Sequence, residues 1–226
     1  MYLDTSYLLI ILPALALSLI AQVWVKSAFS KYSKIASRRG ISGAEAARVI
    51  LRANGVNNVQ IEGIRGSLSD NYNPSTRVLS LSEPVFDKTS ISAIGVAAHE
   101  AGHALQHARG YGPLGLRSAL VPVAGIGSRF GPYVAIAGVL MGMPALVDVG
   151  IILFAAAVVF YVITLPVEFN ASGRAVEALR ANAILTEDEL TGVKRVLSAA
   201  AMTYVASTLS AMANLLRLIL LRGRRR

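Results

Sequence analysis

The residues with the clearest chemistry in this sequence stand together as His99-Glu100-Ala101-Gly102-His103. The string is a HExxH pattern inside a small, apolar run, 90–105, that reads as helix. Residues four apart share a helix face, so His99 and His103 can offer imidazole nitrogens to one zinc ion, and Glu100 can reach water held there as general base. Glycine in a helix interior costs about 1 kcal/mol against alanine, so Gly102 implies that something approaches closely at that turn, as a neighbouring backbone would. Without a cation, a Glu buried between two His in such a helix would be destabilising by several kcal/mol; a metal removes that cost.

A catalytic zinc takes three protein ligands and keeps one position open. The chain has no Cys, which excludes thiolate ligands, disulfides and Cys nucleophiles. The third histidine, His107, lies about 12 Å along the helix axis from His99, too far to share its ion, and reads as a cleft or supporting residue. The third ligand is therefore a carboxylate. Asp148, Glu168, Glu177 and the Glu187-Asp188-Glu189 cluster are the candidates.

Which of these reaches the zinc helix depends on the elements around them. The chain is 54% hydrophobic and only 15% charged, with a mean hydropathy of +0.55. Twenty-two Lys and Arg against thirteen Asp and Glu give a net charge of +9, an excess that elsewhere suggests a polyanion. Here the basic residues flank uncharged apolar runs, which points to anionic lipid headgroups and away from nucleic acid. The uncharged stretches are 5–25, 130–147, 149–167 and 196–216, each about the 20 residues that cross a bilayer as helix. The first has no basic residue before it and is preceded by Asp4, so it reads as a retained anchor rather than a cleaved signal. Lys26, Lys31, Lys34, Arg38 and Arg39 follow it, which places the N-terminus outside and the next hundred or so residues in the cytoplasm.

The second and third stretches form a tight hairpin around Met143, Pro144 and Asp148 that returns the chain to the cytoplasm near Pro166. That puts Glu168 on the membrane face of His99 and Asp148 on the opposite one. The acidic cluster at 187–189 follows Thr186 as an N-cap and acidic first turn would, for which the helix dipole suffices. Glu168 therefore leads as third ligand. The fourth stretch either crosses, which leaves Arg222, Arg224, Arg225 and Arg226 outside against the positive-inside rule, or lies partly within the protein.

The polar part between the first two spans has its own signals. Residues 42–54 read as a short amphipathic helix capped by Ser42 and Glu45 and stopped by Gly55. Residues 59–64 and 77–82 alternate as strands, the second after the turn signal Asn73-Pro74-Ser75-Thr76. The expected fold is a mainly α membrane protein, with a HExxH zincin-like helical core, a small β element and three or four transmembrane helices. In order these are an anchor at 5–25, a cytoplasmic zincin-like part at 26–118, a transmembrane hairpin at 130–167, a third-ligand helix and connection at 168–195, and a hydrophobic helix at 196–221.

HExxH with the distant Glu168-Phe169-Asn170-Ala171-Ser172-Gly173-Arg174-Ala175 resembles the gluzincin membrane peptidases of the CAAX-prenyl-protease and HtpX type. More closely, the chain resembles the bacterial YugP-like family of neutral zinc membrane metallopeptidases. The matching segments are Ser69-Asp70-Asn71-Tyr72-Asn73-Pro74, Leu79-Ser80-Leu81-Ser82-Glu83, the run from Ala97 to His107, and Leu165-Pro166-Val167-Glu168-Phe169-Asn170-Ala171-Ser172. In CAAX-type relatives an Asp four residues after the ligand Glu orients a metal-bound His; Ser172 stands there in this chain. The resemblance also implies that an edge strand beside the cleft, here Arg77, Val78, Leu79, Ser80, Leu81 and Ser82, binds substrate backbone by strand addition.

Residues and resemblance together imply one zinc per chain on His99, His103 and Glu168, with Glu100 as the general base of peptide-bond hydrolysis. Arg174, His107 and Tyr204 are the candidate oxyanion donors. Two also have a plain alternative: a positive-inside Arg for Arg174, a core or interface aromatic for Tyr204. Asp70 and Tyr72 could contact substrate or simply build a turn. The expected protein is a multi-pass endopeptidase of the bacterial plasma membrane, its site facing the cytoplasm, acting on proteins or peptides. The competing readings are a non-catalytic membrane scaffold that keeps the site structurally, and an intramembrane protease. The polar sequence flanking 90–105 disfavours the second.

Overall fold

The computed structural model describes residues 5–223, with side chains from residue 9. The elements in chain order are α1 (Thr5–Tyr32), α2 (Gly43–Ala53), β1 (Gln60–Ile64), β2 (Asn71–Asn73), β3 (Val78–Ser82), α3 (Glu83–Phe86), α4 (Ile91–Ala108), α5 (Gly112–Met141), α6 (Pro144–Ala181) and α7 (Glu187–Gly223). The protein is mainly α-helical, and α1, α5, α6 and α7 are each long and apolar enough to cross a membrane. The described residues fall into two compact units. One takes the chain up to Gln22, Gly115–Pro166 and Met202 onward; the other takes Val23–Leu114 and Val167–Ala201.

Among the described residues the first unit is built from helices only. Its hairpin, α5 with α6, closes through small residues: a Cβ on Gly150 would lie 2.3 Å from the Ala135 backbone nitrogen. Two helix backbones meet there, the packing that helices use where lipid removes the hydrophobic driving force between them. Ala124, Ala135, Phe154, Ala157, Val158, Ala211 and Leu218 make its small interior cluster. Large apolar side chains point outward, with Leu140 78% and Ile152 69% exposed, a surface suited to lipid and not to water. Polar side chains tie the helices together: Ser18 Oγ lies 3.1 Å from Ser210 Oγ, and Thr208 donates to the Tyr161 carbonyl at 3.3 Å. Arg222 near the end of α7 is ion-paired with Asp148 near the start of α6 (Nη2 to Oδ2, 2.7 Å). Within this unit α7 thus runs back alongside α6 over its apolar length. Arg224, Arg225 and Arg226 lie outside the described residues.

The second unit has a conventional buried core. α2 forms where its sequence is amphipathic, and Ser42 caps it by accepting from the Glu45 N–H at 3.2 Å. Ile50, Leu79, Leu81, Ile94, Leu179, Ile184 and Val193 are fully buried in one cluster with the small residues of α4. Ser90 caps α4 through the Ala93 N–H at 3.3 Å. Thr186 and Glu189 form the box expected at the start of α7: the Glu189 carboxylate accepts from the Thr186 N–H (2.8 Å) and hydroxyl (2.9 Å), and also from the Arg38 N–H (2.7 Å).

Two features depart from the sequence expectations. The sheet has three strands in the order β1-β3-β2, with β1 parallel and β2 antiparallel to β3. The strand at 78–82 is therefore central, and Arg77, Val78, Leu79, Ser80, Leu81 and Ser82 cannot be the strand to which a substrate adds. Both its backbone edges are taken, by β1 along the full register and by β2 at Val78, Leu79 and Ser80, while Asp70 accepts from the Ser82 N–H at 2.8 Å. Arg77 itself sits in the left-handed region (φ 56°) and outside the strand. Second, α6 passes through Pro166 unbroken to Ala181, so Glu168 stands on the same helix as the third apolar stretch. A proline removes one N–H, a loss that long apolar helices absorb when neighbours pack against the freed carbonyl.

Candidate metal centre

The site is made by two helices of the second unit, α4 and the last part of α6. They touch backbone to backbone: a Cβ on Gly102 would lie 2.5 Å from the Ala171 carbonyl oxygen. The glycine in the middle of HExxH is thus the place where α6 comes within reach. This contact brings Glu168, buried at 2% exposure, up against the two histidines. Glu168 Oε2 lies 3.1 Å from His99 Nε2 and 3.7 Å from His103 Nε2, and the three ligand atoms all fall within 4.8 Å of one another.

The donor chemistry fits zinc. Bonds of about 2.0–2.2 Å put two ligands of one zinc ion within roughly 4 Å of each other, as these nitrogen–oxygen separations are. Two imidazoles and a carboxylate are a catalytic zinc ligand set that leaves a position open. The other ring nitrogens are engaged elsewhere. His99 Nδ1 is 3.1 Å from Ser172 Oγ, and His103 Nδ1 is 3.0 Å from Gln106 Oε1, so both Nε2 atoms face the metal position.

Electrostatics support the same geometry. Burial disfavours a charged His103 ring, but its bond to Glu168, the charges of Glu100 and Glu168 and the Gln106 contact outweigh it, and its pKa rises above 6.5. Glu100, on the turn between the two histidines, is buried at 8% exposure. It is among the groups whose charge His103 feels, which places a carboxylate beside the ligand cluster.

The remaining sequence candidates are distributed as follows. Ser172 contacts His99, at the place where the resemblance puts an orienting residue. His107 shares a hydrogen bond with the Tyr72 hydroxyl (2.8 Å to Nδ1), and Tyr72 titrates high because burial outweighs the pull of Arg77. These residues line a cavity of about 310 Å³ with Asn58, Arg77 and Ala108. Arg174 donates to Asn170 Oδ1 at 2.7 Å and lies over the Tyr111 ring. Tyr204 belongs to the first unit, where its carbonyl accepts from Thr208. The other acidic candidates are accounted for: Asp148 pairs with Arg222, Glu187 with Arg180, Glu189 caps α7, and Glu177 is exposed. Asp70 holds Ser82 by backbone and hydroxyl, a structural task.

Gln106 and Asn170 were not singled out from sequence. The signal existed for Gln106, a polar residue three positions after His103 and hence beside it on the helix. Gln106 is fully buried, and its amide nitrogen donates to the Val167 carbonyl (2.8 Å) and to Asn170 Oδ1 (3.0 Å).

The family described as "Putative neutral zinc metallopeptidase" matches residues 7–223. The chain belongs to this family. It is 50% identical over 215 residues to the "Putative membrane protease YugP" of Bacillus subtilis (strain 168), covering 95% of this chain and 96% of that protein. No solved structure matches it. Membership spans the α4 and α6 residues of the metal centre and all four long apolar helices, and the chain is a membrane protein of zinc-peptidase type.

Proposed function

We propose that this protein is a zinc-dependent endopeptidase of the gluzincin type in the bacterial plasma membrane. The observation that carries this is the convergence of His99, His103 and Glu168 from two helices, with Glu100 beside them. These three residues hold the ion, one per chain. When bound, zinc supplies Lewis acidity that polarises a peptide carbonyl and makes water nucleophilic near neutral pH. Glu100 takes the proton of the attacking water on its carboxylate and returns it to the leaving amide nitrogen, without a covalent intermediate. Ser172 and Gln106 hold the histidine rings in orientation. His107 remains the site's candidate donor to the oxyanion. With β3 enclosed, an extended substrate backbone is left the short edge strand β2 or the edge of β1.

Orientation follows from charge. Lys26, Lys31, Lys34, Arg38 and Arg39 come after the first apolar stretch, so the site faces the cytoplasm and substrates are protein segments close to the membrane surface. The Arg222–Asp148 pair favours the reading in which α7 crosses, because it offsets one of the positive charges carried to the outer face. Anionic headgroups meet the basic residues that border the spans.

The test compares zinc content and proteolysis of an unfolded substrate by the wild-type chain, Glu100→Gln and Glu168→Ala. Glu100→Gln should keep its zinc and lose roughly 10²–10⁴-fold in rate; Glu168→Ala should lose the zinc. Full zinc occupancy in Glu168→Ala removes that residue from the ligand set. A Glu100→Gln protein as active as wild type means that hydrolysis, if seen at all, comes from elsewhere, and leaves the scaffold reading standing.

A further inference from the structure

The hydrogen bonds around His103 form a chain whose direction can be read from its ends. At one end Arg174 Nε–H can only donate, and it meets Asn170 Oδ1 at 2.7 Å. That fixes the Asn170 amide with its oxygen toward Arg174. The same oxygen lies 3.0 Å from the Gln106 side-chain nitrogen, and the Val167 carbonyl, which can only accept, lies 2.8 Å from that nitrogen. Both hydrogens of the Gln106 NH₂ are thereby committed, and its oxygen is turned to His103 Nδ1 at 3.0 Å. An oxygen there requires a proton on Nδ1. The lone pair is then on Nε2, the atom 3.7 Å from Glu168. Ser172 gives His99 no such direction, because a hydroxyl can donate or accept.

We infer that Arg174, Asn170 and Gln106 are positioning residues that lock His103 in the tautomer with its proton on Nδ1, so that its Nε2 is committed to the metal. This rests on the zinc reading of the site. It reassigns Arg174 from oxyanion donor to the anchor of the chain. The polarity makes opposite demands on two amides of like shape. Asn170 uses only its oxygen toward both partners, so Asn170→Asp, an acceptor with the same outline, keeps the chain intact. Gln106 must donate twice and accept once, so Gln106→Glu sets a carboxylate against the Val167 carbonyl and Asn170 Oδ1.

The experiment measures zinc affinity by chelator competition on the full-length protein in detergent, alongside thermal unfolding. Ring ¹⁵N spectra of histidine-labelled zinc-free protein are recorded as well, at a pH high enough for the rings to be neutral, so that the partners and not the metal set the tautomer. With three histidines in the chain, the His103 signal can be assigned by single substitutions. Asn170→Asp should bind zinc within about twofold of wild type, and Gln106→Glu about 10–100-fold more weakly, the range for loss of a ligand's outer partner. The wild-type spectrum should place the proton on Nδ1 of His103. Arg174→Met, which removes the obligate donor without adding a buried charge, should leave that ring in mixed states, and it serves as the second probe if Gln106→Glu does not fold. Equal losses in the two acid variants, or a proton on Nε2 in wild type, overturn the chain while leaving the zinc site standing. A wild-type protein that binds no zinc overturns both.

Discussion

α6 does two different jobs along one helix. Its first part, up to Pro166, packs in the all-helical unit against α5; its last part, from Val167, packs in the other unit against α4. Both contacts depend on a glycine: Gly150 where α6 meets α5, and Gly102 where α4 meets α6. The physics of close approach is the same, yet what it achieves is not. At Gly150 the reward is van der Waals packing between helices whose outer faces carry Leu140 and Ile152. At Gly102 the reward is the distance between Glu168 and two imidazoles. A small residue on a helix therefore has no fixed meaning; the side chains that flank the contact decide whether it serves cohesion or chemistry.

Substitution at the two glycines separates these roles. Gly102→Ala should have the largest effect, because the added methyl meets a backbone carbonyl that can retreat only by moving α6, and Glu168 with it. Zinc affinity should fall along with a loss of about 1–3 kcal/mol in stability. If Gly102→Ala binds zinc as wild type does, the contact is cohesive only. Gly150→Ala should cost a similar 1–3 kcal/mol but leave zinc affinity unchanged when measured below its lowered melting temperature. Zinc loss in this variant would mean that the two parts of α6 are not separable in function.

Smaller effects sharpen the picture within the site. Ser172→Ala removes the partner of His99 Nδ1 and should weaken zinc binding about tenfold, at the lower end for such partners because a hydroxyl is neutral. An unchanged affinity would show that packing alone orients His99. The least effect is expected from pH. In zinc-free protein the His103 pKa is raised above 6.5, so its proton stabilises the fold fully below about pH 6.5 and that contribution fades as pH climbs through the folded-state value. Zinc takes the neutral ring, so its affinity should rise over the same window. Melting curves with and without chelator check both signs, and a zinc-free melting temperature that climbs with pH there would contradict them.

Much of the site was legible in the sequence because its logic is local. HExxH fixes its own geometry on a helix, the absence of Cys forces a carboxylate, and the apolar runs place Glu168 and Asp148 at opposite ends of a hairpin. Gly102 announced a close approach by standing where a glycine is costly. The sheet was less legible. Asn71-Tyr72-Asn73 has the composition of a turn and becomes a strand only because β3 offers it an edge; that pairing in turn encloses the strand that the resemblance had offered to substrate. Gln106 and Asn170 escaped notice for a related reason. Their roles lie in the direction of a hydrogen-bond chain between α4 and α6, and neither helix encodes that alone.

The distance along the chain between the ligands has a consequence for biosynthesis. Glu168 follows His99 by 69 residues, with all of α5 and the apolar part of α6 in between. A nascent chain that has not yet produced the end of α6 carries two of the three candidate donors, but not the third. The proposed zinc site is thus completed only after both helices of the hairpin have been made, and a chain stalled or clipped before that point lacks it.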